Sequence, residues 1–369
     1  MAFADAYAGR RVLVTGHTGF KGAWLAEWLT TLGAEVTGYA LEAPTTPSLF
    51  EALGLERSVR HVVADVRDAG RVGDEVAAAC PSIIFHLAAQ AIVRTAYAHP
   101  RETFETNVMG TVNVLEAARA SDSVEAVVVV TSDKSYQNLE TGRPFRETDA
   151  MGGRDPYSAS KGAAELVVEA YRQSYFAEGA AVASVRAGNV IGPGDWAADR
   201  IVPDIVRAVT AGEPVVVRNP DAIRPWQHVI EPVSGYLWLG ARLLAEGRRF
   251  AGPWNFGPED TRGDRTVRWL VEHFLASWGG GSWVTPEGTA PQPHEAHRLS
   301  LDSTKARERL GWVPVWDASA AVERTAAWYA GHRLDPGSAR PMLEAQLAAY
   351  QEDARAAGLA WAQPGGTNR

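Results

Sequence analysis

Tyr157 and Lys161 stand four residues apart in DPYSASKG, a spacing that puts a phenol and an amine on one face of a helix. A phenol acts as a base only as its phenolate, and a free tyrosine, with a pKa near 10, is about one part in a thousand phenolate at neutral pH. Lowering that pKa by roughly three units requires about 4 kcal/mol. One cation about 4 Å away, at an effective dielectric near 20, supplies on the order of 4 kcal/mol. Lys161 alone is therefore expected nearly to suffice. Upstream, Thr131-Ser132-Asp133-Lys134 closes the apolar run 126–131. Ser132 offers a hydrogen bond to a sugar hydroxyl or ketone, while Asp133 and Lys134 set a carboxyl beside an amine. An isolated Ser-Asp-Lys is a turn with solvated charges; at the end of a central strand it becomes a candidate acid–base pair. The candidate catalytic set is Ser132, Asp133, Lys134, Tyr157 and Lys161.

These residues need a frame. Residues 11–25, RVLVTGHTGFKGAWL, read as strand, glycine loop and helix. Gly16 permits a turn that most residues cannot make, Gly19 lets backbone approach a pyrophosphate, and Gly22 lets helix and strand pack closely. The start of the following helix favours negative charge. Gly16, His17, Gly19, Phe20 and Gly22 are thus candidate dinucleotide contacts. Further strands are expected at 35–40, 61–64, 82–87, 126–131 and 181–187, with long helices at 103–120 and 157–177. Strands separated by helices imply a parallel sheet with helices on both faces, and ligands of such sheets sit beyond the carboxyl ends of the strands. The fold class expected is α/β, a Rossmann-like doubly wound sheet with a smaller, mixed C-terminal substrate lobe. Residues 1–190 form the dinucleotide domain, joined by a returning segment at about 225–257; 191–369 supply mainly the substrate lobe, with helices at 201–211, 232–246, 266–278 and 303–310. Residues 358–369 read as a loose tail.

With 369 residues and 46% hydrophobic content, the chain is long enough for a large core. A net charge of -8 argues against nucleic acid or an anionic membrane as the main partner. The single cysteine, Cys80, excludes an intramolecular disulfide framework and fits a reducing, cytoplasmic setting. Neither a signal peptide nor a membrane-spanning apolar run is evident.

The glycine loop and the Ser–Tyr–Lys set resemble the extended short-chain dehydrogenase/reductase superfamily. More narrowly, GHTGFKG, NVMGTVNVLEA, TSDKSY, DPYSASKG, SVRAGNVIG, GDWAADRIVPDI, RNPDAIRPWQHV, WNFGP and PHEAHRL resemble the CDP-glucose branch of the nucleotide-sugar 4,6-dehydratases. Related dehydratases usually carry Asp-Glu after the strand; lysine in the Glu position, here Lys134, points to that branch. The resemblance implies CDP-glucose as substrate and an internal redox cycle on NAD. Tyr157 would take the C4 hydroxyl proton, Lys134 in its neutral form would remove the C5 hydrogen of the 4-ketone, and Asp133 would protonate the departing C6 hydroxyl. Hydride removed from C4 would return to C6.

NAD sites of this type often carry an acid after the second strand for the ribose. Tyr39-Ala40-Leu41-Glu42 lacks one at the expected place, so NAD is favoured by resemblance alone. Asp65 and Val66 match an adenine-edge position, and Leu87, Ala88 and Ala89 should pass beside the cofactor. Asn107 is expected to brace loops. Substrate contacts are expected from Gln90, Asn189, Arg200, Arg224 and His294, with the arginines on the diphosphate. His294 and His297 have near-metal spacing without a third ligand, so no metal is expected. The resemblance also implies a homodimer or homotetramer, with helices 103–120 and 157–177 paired across a four-helix interface, although the sheet could equally consume their apolar faces. A 4-epimerase would not need the Asp133–Lys134 pair, and a nucleotide sensor would not need the Ser132–Tyr157–Lys161 relay.

Overall fold

Six apolar runs of the N-terminal half become neighbouring strands: β1 (Arg11–Thr15), β2 (Glu35–Ala40), β3 (Arg60–Val63), β4 (Ile83–His86), β5 (Ala126–Val130) and β6 (Ala181–Ala187). The computed structural model describes residues 2–258, 265–286 and 299–363. A seventh strand, Gly252–Phe256, pairs with β6, and the sheet runs Gly252–Phe256, β6, β5, β4, β1, β2, β3, every pair parallel. Alternate side chains enter opposite layers, as the two-residue strand period requires. Val12, Val14, Ile83 and Phe85 pack under one set of helices, and Leu13, Ile84, Val127 and Val129 under the other. Chain order reverses between β1 and β4, which opens a crevice at their carboxyl ends. Thr15, His86, Ser132 and Asp133 all lie at or just past these ends.

The helix that carries Tyr157 spans Pro156–Ser174. Pro156 occupies its first turn, and the Asp155 carboxylate accepts from the Ser158 N–H at 3.0 Å. The expected helix 103–120 is instead three pieces: Pro100–Phe104, a wide π-type turn over Glu105–Met109, and Gly110–Arg119. The π-type turn carries Asn107, whose side chain donates to Gln90 O at 3.0 Å and Ser160 Oγ at 2.8 Å. In the second half, helices Ile201–Ala211, Ile230–Glu246 and Val267–Trp278 form where their periodicity indicates. Two long helices that the sequence reading did not single out, Ala318–Leu334 and Ala339–Ala356, follow.

The loose tail is a correction. Trp361, in the short turn Ala360–Ala362, has 0% exposure. Its ring stacks on Phe3 at 4.9 Å and on Tyr350 at 5.7 Å, and meets the edge of Trp28 at 6.2 Å. A composition-based reading fails here because two of the partners, Phe3 and Trp28, lie at the opposite end of the chain. Trp361→Ala should therefore cost about 3–5 kcal/mol of stability, read as a lowered denaturation midpoint. An unchanged midpoint would restore the loose-tail reading.

Candidate active site

At Gly16, φ is +76°, and a Cβ there would lie 2.7 Å from Ala88 N; at Gly22 it would lie 2.1 Å from Gly16 O. Both are fixed as glycine by the protein's own backbone. Gly19 differs, since its nearest neighbour would be Gly16 O at 3.4 Å, so the close approach it allows is to something outside the loop. Gly19 also caps helix Phe20–Thr31 without a side-chain hydrogen bond, which leaves the helix start suited to an anion. Thr15 Oγ1 accepts from Leu87 N at 3.1 Å and Ala88 N at 3.2 Å, drawing the Leu87-Ala88-Ala89 turn against the loop. The residues present thus fit a dinucleotide, with Phe20 opening the helix at the mouth of the cradle.

Two parts of the expected cofactor set behave differently. The His17 imidazole is fully buried away from the loop mouth: its Nε2 bonds His61 Nδ1 at 2.7 Å, and a Cβ on Gly38 would strike the ring. Burial, together with His61, lowers its pKa to about 3, so it is neutral and brings no charge to a phosphate. Asp65 and Val66 follow β3 as expected, but the Asp65 carboxylate accepts from Arg67 N, Nε and Nη2 at 2.6–2.8 Å.

Ser132, Asp133, Tyr157 and Lys161 are brought together, each less than a tenth exposed. Ser132 Oγ donates to Asp133 Oδ1 at 3.0 Å and accepts from Lys134 N at 3.2 Å, and its hydroxyl favours the ionised form of the Tyr157 phenol. Burial raises the Asp133 pKa, against the pull of Lys134, Ser132, Arg224 and Lys21, which favours a protonated acid. Asp133 Oδ2 is buried with no hydrogen-bond partner among the described residues. A Cβ at Gly188 would reach 3.2 Å from that oxygen and 2.9 Å from Pro225, so a small residue there preserves the space beside it. Lys134 is half-buried, with Nζ 6.0 Å from the centre of the Tyr157 ring.

The expectation that Lys161 nearly suffices to tune Tyr157, with the charge of an oxidised nicotinamide added, is not met by the chain by itself. Burial raises the Tyr157 pKa; the Ser132 hydrogen bond and the Arg200 charge oppose that rise. Lys161 Nζ instead donates to Val130 O at 3.2 Å, and its own pKa is lowered by burial to about 8. Spacing reported the shared helix face but not the desolvation that works against the phenolate.

Arg200 starts helix Ile201–Ala211 and donates to Asp195 Oδ2 at 2.9 Å, with 34% of its side chain exposed. Arg224 Nη1 donates to Ile223 O at 2.8 Å and its charge acts on Asp133, which puts it beside the site. Asn189 follows β6 by two residues, and its backbone carbonyl accepts from Gln227 N at 3.3 Å. Trp226 is buried in the main core. Gln90 is a correction: its amide donates to Ile92 O and Thr103 Oγ1 and accepts from Ile92 N, so it braces a loop rather than facing a substrate. His294 and His297 lie outside the described residues. Among the described residues, no group of three or more His, Cys, Asp or Glu forms a metal site. Among them too, no helix is long and apolar enough to cross a membrane.

One site residue escaped the sequence reading. Lys21, in the first turn of its helix, lies within electrostatic reach of Asp133, Lys161 and Arg200, with Nζ 3.4 Å from Tyr236 Oη. Burial and the two cations lower its pKa to about 8. The available signal was a lysine set in a helix whose next eight residues, Gly22 to Leu29, are all buried.

The family model described as NAD dependent epimerase/dehydratase matches residues 12–250. The chain is 49% identical over 330 residues to a CDP-glucose 4,6-dehydratase of Salmonella typhimurium, covering 88% of this chain and 91% of that protein. A dTDP-glucose 4,6-dehydratase of Streptomyces venezuelae, solved with NAD bound, superposes with a TM-score of 0.76 at 26% identity, over 90% of this chain and 99% of the other. A UDP-glucose 4-epimerase of Thermus thermophilus in complex with NAD gives 0.75 at 27% identity, over 87% and 99%.

Proposed function

Because the chain belongs to the NAD dependent epimerase/dehydratase family, we propose that it converts CDP-glucose to CDP-4-keto-6-deoxyglucose by eliminating water across C5 and C6. The observation that carries this reading is the buried Asp133 with the half-buried Lys134 beside Tyr157, a second acid–base couple that exchange at C4 alone does not need. NAD, when bound, supplies a reversible hydride acceptor; Gly16, Gly19, Phe20, Gly22, the Leu87-Ala88-Ala89 turn, and Asp65 with Val66 would hold it. Tyr157 Oη takes the proton of the C4 hydroxyl, with Ser132 Oγ orienting both oxygens. Lys134 Nζ removes the C5 proton, which the adjacent ketone acidifies. The Asp133 carboxylic acid, kept neutral by burial, gives its proton to the departing C6 hydroxyl. Arg200 and Arg224 hold the diphosphate, and Asn189 lines the entrance.

Incubation with CDP-, dTDP- and GDP-glucose tests the reading. A 4-keto-6-deoxy product, read by the alkali-developed absorbance of its enolised ketone, is expected from CDP-glucose in preference to the others. No product, or a preference for dTDP- or GDP-glucose, would contradict it. We further read the protein as a cytoplasmic homodimer or homotetramer. Cys80 as its sole cysteine supports the compartment, and the exposed Phe104, Met109 and Leu166 on the paired helices support the assembly.

A further inference from the structure

We infer that Glu165 is a positioning residue for the proton relay: one carboxylate locks the Tyr157–Lys161 helix to the end of β5 and places a counter-charge behind the Lys161 ammonium. This deepens the dehydratase reading and rests on it. Glu165 follows Lys161 by four residues and Tyr157 by eight, on the same side of helix Pro156–Ser174, and is 4% exposed. Its Oε1 accepts from Arg186 Nε at 2.8 Å and from the Thr131 hydroxyl; its Oε2 accepts from Arg186 Nη2 and Ser184 Oγ, each at 2.7 Å. Thr131 immediately precedes Ser132, and Lys161 donates to Val130, one residue earlier still. Helix and strand end are therefore stitched together at two successive residues, next to Ser132, whose hydroxyl favours the ionised form of Tyr157. Arg186 continues the network, donating to Tyr136 Oη at 2.6 Å, and Tyr136 donates to Asn255 Oδ1 at 2.7 Å. The helix is thus tied to β5, β6 and the edge strand.

A buried ion pair is weak evidence for anything beyond packing, since apolar residues often replace one without loss of stability. What distinguishes Glu165 is the set of charges facing Lys161. From the first helix comes Lys21, a like charge. From β4 comes His86, held neutral by burial with a pKa lowered to about 3. Glu165, on the same helix, is the group that favours the ammonium against its own desolvation. An apolar replacement could fill the space but would not supply that charge.

The test is the pH dependence of CDP-glucose dehydration. Removing the carboxylate lowers the pH at which Lys161 loses its proton, so in Glu165→Gln the alkaline limb of kcat should move down by about one pH unit. Glu165→Asp, which keeps the charge on a shorter arm, should return the limb to its wild-type position. Should Glu165→Gln fail to fold because Arg186 is stranded, Glu165→Gln/Arg186→Gln removes both buried charges, and the same downward shift is expected. A limb unmoved in Glu165→Gln, or in the double variant where the single one fails to fold, overturns the inference. Wild-type protein that fails to dehydrate CDP-glucose would instead strike the functional reading, so the two failures are told apart.

Discussion

Tyr157→Phe is expected to lower kcat for CDP-glucose dehydration by about 10³-fold, within the range measured for loss of a positioned acid–base group. In the proposed mechanism the phenol receives the C4 hydroxyl proton. Burial raises its pKa above the ordinary value, which works against forming the phenolate. Phenylalanine keeps the ring and its packing, so nucleotide affinity should stay within about threefold of wild type, because no proton transfer is needed to bind. The wild-type rate should also rise with pH as the phenolate fraction grows, and that dependence should be absent from the residual rate of the variant. Product formation by the ketone assay, with CDP affinity by calorimetry, checks both halves. A loss smaller than tenfold with unchanged affinity would remove Tyr157 from the role.

Lys134→Ala should lose overall dehydration by about 10²–10⁴-fold while sparing the step before it. In deuterated water the wild type should place deuterium at C5; the variant should still form some 4-ketone in a single turnover, yet show no exchange of the C5 hydrogen. The distinction follows from geometry. Lys134 Nζ stands 6.0 Å from the Tyr157 ring centre, so the two groups border one space without replacing each other. Normal exchange in Lys134→Ala would assign the C5 proton to another base, and Lys21 would be the first to examine, since burial and its neighbours bring its pKa to about 8.

What could be read without coordinates was whatever depends on short-range geometry. Glycines at Gly16 and Gly22 announce a loop that admits no side chain, and their Cβ clashes are the physical content of that pattern. Apolar runs flanked by helices imply a parallel sheet, and Ser132 with Asp133 falls at the strand end where such sheets keep their ligands. What could not be read depends on long-range burial. Trp361 looked solvent-bound because its partners, Phe3 and Trp28, lie more than 300 residues away in sequence. Lys21 drew no reading because its neighbours in the site, Asp133, Lys161 and Arg200, lie more than 100 residues away in sequence. Gln90 read as a substrate contact because its acceptors, Ile92 O and Thr103 Oγ1, come from the fold of its own loop and from helix Pro100–Phe104. The direction of the Tyr157 shift was misjudged for the same reason: a spacing of four reports a neighbouring cation, whereas desolvation requires knowing everything else around the ring.

The central claim is that one site removes the C4 hydrogen and delivers it to C6 of the same sugar. Supplying CDP-glucose deuterated at C4, mixed with unlabelled substrate, measures this most directly. The account predicts a 4-keto-6-deoxy product with the deuterium at C6, in molecules that began with it and in no others. Product lacking deuterium at C6, or label scrambled into the unlabelled pool, would contradict it.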